Sequence, residues 1–128
     1  MNKIIKVIGN FEDLYHGNGA SVDSIKEAEK KLKTKFSEEY YDYLCAFGIA
    51  TFDGDEFTGL TDIERKDVVL VTEKYRRMFG KDFDDKYVIE ETNIDGIVIW
   101  QSSTGEVFQS NMEGKIKKIC DSLIEYIV

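Results

Sequence analysis

The chain has 128 residues, 42% of them hydrophobic, with 17 basic against 25 acidic side chains. That length accommodates one hydrophobic core and is too short for two ordinary domains. A net charge of −8 has the wrong sign for gripping nucleic-acid phosphates, no apolar run approaches the roughly 18 residues of a membrane span, and one histidine with two distant cysteines supplies no zinc-type cluster.

Residues 2–15 predict a first amphipathic helix, because Ile4, Ile5, Val7, Ile8, Phe11 and Leu14 recur at helical spacing. The apolar residues there are spaced rather than continuous, so the stretch does not read as a secretory signal. His16-Gly17-Asn18-Gly19 is a loop. Ser21 then caps a second helix, with Asp23 in the first turn where the helix dipole favours negative charge. Ile25, Ala28 and Leu32 share its inner face, with Glu29 at the margin, and Lys26, Lys30, Lys31 and Lys33 cover the other face. Ser37 caps a third helix whose apolar stripe is Tyr40, Tyr41, Leu44 and Phe47, and Gly48 ends it. Phe36, just before the cap, is placed to staple onto Tyr41. Residues 49–52 and 57–60 flank the acidic turn Asp53-Gly54-Asp55-Glu56 and predict a hairpin.

Beyond residue 60 the pattern is weaker. Residues 67–71 fit a strand or the start of a helix, and residues 73–79 read as helix ending at Gly80. Residues 81–86 are polar and read as loop, and residues 87–91 as strand. Residues 96–101 are a near-continuous apolar run, as expected of a central strand covered on both faces. A turn at residues 102–105 returns the chain as a strand over 106–110. Residues 115–128 predict a closing amphipathic helix, with Ile116, Ile119, Cys120, Leu123, Ile124 and Ile127 inward. The fold class is therefore α+β: one domain over residues 1–128, with N-terminal helices packed on a mostly antiparallel sheet and a closing C-terminal helix.

This order of signals resembles the SUKH superfamily, the Smi/Knr-like proteins that include many bacterial immunity proteins. Ile25, Glu29 and Leu32 match its first helix pattern, and Phe36, Tyr40, Leu44 and Gly48 match its aromatic second helix. Gly59 matches a later glycine, and Trp100, Gly105 and Val107 look like its later hairpin. The chain departs from the pattern at Ser37, where the family often has a hinge proline; the chain contains no proline. The resemblance implies a non-catalytic protein that binds and neutralises a toxin domain, often an RNase or DNase. The alternative it implies is a non-catalytic regulatory or scaffolding interaction module, since some relatives act in signalling.

The residues fit that expectation. Acidic residues concentrate in two stretches, 53–67 and 81–95, each with six acids against two bases. Asp53, Asp55, Glu56, Asp62, Asp82, Asp84 and Asp85 are the candidates for contact with a basic partner, if both stretches share one side of the domain. Tyr87 is the aromatic candidate, with Tyr15, Tyr75 and Phe57 as further anchors, while Trp100 reads as core. Neither carboxylate run has the spacing of a calcium loop. His16 is the sole histidine and has no nucleophile near it in sequence, so no catalytic set is legible. No cofactor, nucleic acid or membrane is expected, and the protein is expected to be a monomer or weak dimer. Without an export signal, Cys45 and Cys120 read as reduced core thiols of a cytoplasmic protein.

Overall fold

The computed structural model describes residues 3–128, so the expected helix start at Asn2 lies outside the described residues. Helix α1 spans Lys3–Gly9 and buries Ile4 and Ile8. It stops well short of residue 15. Gly9 and Asn10 are poor helix formers, and the chain turns so that Phe11 and Leu14 reach the core from a loop. Tyr15–His16 is strand β1.

Helix α2 (Val22–Leu32) and helix α3 (Glu38–Phe47) lie where the caps place them: Ser21 accepts from the Ser24 amide and Ser37 from the Tyr40 amide. On α3 the buried residues are Tyr40, Tyr43, Leu44 and Phe47, so Tyr43 takes the inward place expected of Tyr41. Phe36 packs edge-on against Tyr40 and Tyr87 instead of stapling to Tyr41.

Strands β2 (Ala50–Phe52) and β3 (Asp55–Glu56) form the expected hairpin, but its turn is only Asp53-Gly54. Both turn residues have positive φ, 53° and 77°, as two-residue hairpins of this hand require. Asp55 and Glu56 are therefore strand residues. β1 completes this small sheet by pairing with β2, and Phe57 leaves it to bridge Glu90.

Helix α4 (Val68–Phe79) resolves the ambiguous region, with Asp67 as its cap. A short 3-10 turn, Lys81–Phe83, follows. Strands β4 (Lys86–Glu91), β5 (Val98–Ser102), β6 (Val107–Ser110) and β7 (Ile116–Cys120) make an antiparallel sheet in sequential order. The predicted closing helix over 115–128 is thus half strand; only Leu123–Ile127 is helical, as α5. The spacing misled because β7 carries one extra residue relative to β6: Val107 faces Cys120 while Phe108 faces Lys118. That irregularity sends Ile116 to one face of the sheet and Cys120 to the other, so a strand mimics a helical period.

The sheet is covered on both faces. Tyr87, Ile89, Ile99 and Val107 face the larger core with α1, α2, α3 and α5. Val88, Val98 and Trp100 face a smaller core with Val71 of α4 and Phe83. β5 is buried along its whole length, as its apolar run predicts.

Two polar devices hold these layers in register. The Ser37 amide donates to the Tyr87 hydroxyl (2.8 Å), and both the Tyr87 and Ser37 hydroxyls donate to Gln101 Oε1 (2.8 and 3.0 Å). Arg76 of α4 donates to four carbonyls: Leu32 (2.7 Å), Phe83 (3.2 Å), Asp84 (3.0 Å) and Lys86 (2.8 Å). One guanidinium therefore ties the end of α2 to the entrance of β4, a task suited to its rigid multi-donor plane.

Candidate functional site

The acidic candidates separate into distinct places. Asp53 and Asp55 sit at the hairpin, beside a shallow cavity of about 210 Å³ that also touches Phe52, Phe57 and Tyr126. Glu56 is engaged by Lys66 (2.6 Å) and Arg65 (3.1 Å), which hold its carboxyl below the usual range despite some burial. Asp82, Asp84 and Asp85 lie at the other end of β4, where Asp85 pairs with Lys86 at 2.8 Å. Glu90, beside Asp55, and Lys86 are four residues apart on that strand, roughly 13 Å at the strand rise. Asp82, Asp84 and Asp85 are thus set apart from Asp53 and Asp55 along β4, whereas Glu90, from the same acidic stretch, lies beside Asp55. Tyr87 is fully buried and its hydroxyl is committed to Ser37 and Gln101, so it is a core residue and not a contact residue. Phe57 is likewise buried, Tyr75 half-buried, and Tyr15 exposed.

Asp62 belongs to a different feature, a groove of about 630 Å³ between α2 and the start of α4. Its α2 wall is a stripe at helical spacing: Asp23, Glu27 and Lys31, with Ser24 and Ala28 beside them. The opposite wall is Leu60, Thr61 and Asp62 from the connecting loop, then Asp67, Val69 and Leu70. Asp67 is held there as the α4 cap, accepting from the Leu70 amide at 3.2 Å. Four carboxylates thus face one lysine around an apolar floor, and Leu70 is 46% exposed. The far face of α2 has the opposite sign: Lys26, Lys30, Lys33 and Lys35 surround a second depression. The lysines dominate the sequence of α2 and mask the pairing of Asp23 with Glu27. The i, i+4 spacing is the available signal.

A third cluster is internal. Glu90 is 3% exposed, receives a hydrogen bond from the Tyr126 hydroxyl, and lies beside Asp55. Burial, reinforced by the Asp55 charge and opposed by Tyr126, pushes its carboxyl up to about 7. Burial and the neighbouring Glu90 carboxylate push the Tyr126 hydroxyl up in turn. His16 is exposed on β1, with its ring against Phe47. Cys45 is exposed and Cys120 half-buried. Cys45 is therefore not the core thiol its helical position suggested. Among the described residues, no group of three His, Cys, Asp or Glu is placed to hold a metal, and no helix is long and apolar enough to cross a membrane.

Fold and surface define a class: an α+β protein with helices on an antiparallel sheet, whose charged features lie on helix faces and hairpin tips. The chain belongs to the SUKH superfamily: the family model SUKH_6, described as SMI1-KNR4 cell-wall, matches residues 22–127. No curated protein matches the chain significantly. The motif residues have structural work in this fold. Glu29 accepts from the Phe36 amide at 2.8 Å and fixes the link between α2 and α3. Trp100 and Val107 are buried on opposite faces of the sheet, and Gly105 turns the chain between their strands.

Proposed function

We propose that this protein is an immunity protein, an antitoxin that neutralises a cognate toxin domain by stoichiometric occlusion. The toxin is a nuclease in this reading, and acidic side chains stand where substrate phosphates would lie. Membership of the superfamily supports the binding role, and the acidic groove between α2 and α4 is the observation that carries it. Its potential would speed association with a basic surface at low salt. The protein itself makes and breaks no bonds in this account, and it acts in the cytoplasm of the toxin-producing cell.

The test is to mix the purified protein with the C-terminal domain encoded by the adjacent upstream gene. A complex with one copy of each, with affinity on the order of nanomolar, is expected. No complex at micromolar concentration overturns the reading. The alternative reading is a non-catalytic regulatory scaffold of the Smi/Knr-like type that binds a host protein. In that case no toxin gene adjoins, and expression without the protein is not toxic.

A further inference from the structure

We infer that the α2–α4 groove is the docking surface, and that its occupant is a basic amphipathic helix of the partner protein. This rests on the proposed binding function and specifies the partner's chemistry. On the α2 wall Asp23 and Lys31 are eight positions apart, roughly 12 Å of helix axis, which matches two turns of a helix laid alongside it. Asp23 and Glu27 from one wall and Asp62 from the other are exposed. They are placed to meet Lys or Arg side chains flanking the partner's apolar stripe. Leu70, with Leu60 and Val69 behind it, offers the apolar contact that such a stripe needs.

Charge complementarity selects this occupant. An acidic helix would meet four carboxylates and one lysine, and a purely polar basic segment would leave Leu70 uncovered. The hairpin acids are a poorer platform, because Asp53 and Asp55 border a smaller cavity and Glu56 is already paired. The lysine depression on the far face of α2 repels the same helix.

A synthetic helical peptide of leucine and lysine serves as a partner-independent probe, with amide chemical shifts of the isotope-labelled protein as readout. Shifts centred on Asp23, Glu27, Asp62 and Leu70 are expected. The double substitution Glu27→Lys with Asp62→Lys weakens binding about tenfold or more. Lys26→Glu with Lys30→Glu, on the far face, leaves binding equal or tighter. The inference is overturned by shifts centred on Asp82, Asp84 and Asp85, by unchanged affinity of the groove variant, or by no binding up to about millimolar peptide. The toxin domain gives the second arm. If it binds the groove variant as well as the wild type, the docking site is wrong and the immunity function stands. If it binds neither, the immunity function fails, and the peptide arm alone decides the groove.

Discussion

The carbonyl oxygen of Gly48, at the end of α3, occupies the space beside Gly59 where a side chain would begin. A β-carbon on Gly59 would fall 2.1 Å from that oxygen and 2.9 Å from the Ile49 α-carbon. The two segments are laced by the Leu60 amide, which donates to Gly48 at 2.9 Å. Both residues match glycines of the superfamily pattern, and the contact gives those positions a physical reason. Gly59→Ala should therefore destabilise the protein by about 3 kcal/mol or more. Gly9→Ala, where a β-carbon meets nothing within 4 Å, should shift stability by less than about 1 kcal/mol. Urea denaturation of both variants checks the contrast.

Restoring the family's proline at Ser37 should harm this chain. The backbone angle would tolerate it, with φ at −62°, and proline there would gain up to about 1 kcal/mol through the unfolded state. Yet the Ser37 amide donates to Tyr87 and its hydroxyl both caps α3 and donates to Gln101. Losing the cap costs about 1 kcal/mol, and leaving buried acceptors unsatisfied costs about 1–3 kcal/mol more. Ser37→Pro should be net destabilising by about 1–3 kcal/mol. A thermal melt showing equal or greater stability would contradict this balance.

Arg76 joins α2, α4 and the segment leading into β4 through four backbone carbonyls. Arg76→Lys keeps the charge and loses the planar fork, and should cost about 2 kcal/mol or more. Amide hydrogen exchange should accelerate most over residues 81–86. Uniform acceleration across the chain would mean that the residue acts only through global stability.

Glu90 makes stability fall as pH rises. The native carboxyl holds its proton up to about 7, above its ordinary value of 4.5. Between those values the folded chain binds more protons than the unfolded chain, so deprotonation favours unfolding. The loss from pH 4.5 to 7.5 should be about 2–3 kcal/mol. Asp55 and Tyr126 are the titratable groups facing it. Glu90→Gln should flatten that slope and stabilise the protein above pH 7. An unchanged slope in urea midpoints would assign the pH dependence elsewhere.

Much of this fold is legible in the residues, because caps and periodicity are local. Ser21, Ser37 and Gly48 mark α2 and α3 unaided, and the apolar run of residues 96–101 marks the central strand. What escaped depends on pairing between distant segments. β7 looks helical until its extra residue opposite β6 is known. Tyr87 looks like a contact residue until Ser37 and Gln101 close over its hydroxyl. The acidic stretches meet only where β4 brings Glu90 beside Asp55, while Asp82, Asp84 and Asp85 stay at its other end, a placement that local spacing does not show. The groove is half visible in the sequence: Asp62 stands out in its acidic stretch, while the lysines that share their helix mask Asp23 and Glu27.

Neutralisation by occlusion requires one copy of this protein for each toxin domain. The direct measurement is a titration of the toxin domain that the proposed function requires, assayed for nuclease activity, with this protein, at fixed toxin concentration well above the dissociation constant. Activity should fall linearly and reach zero at one equivalent. Full activity at several equivalents, or complete inactivation by a small fraction of one equivalent, would contradict neutralisation by occlusion.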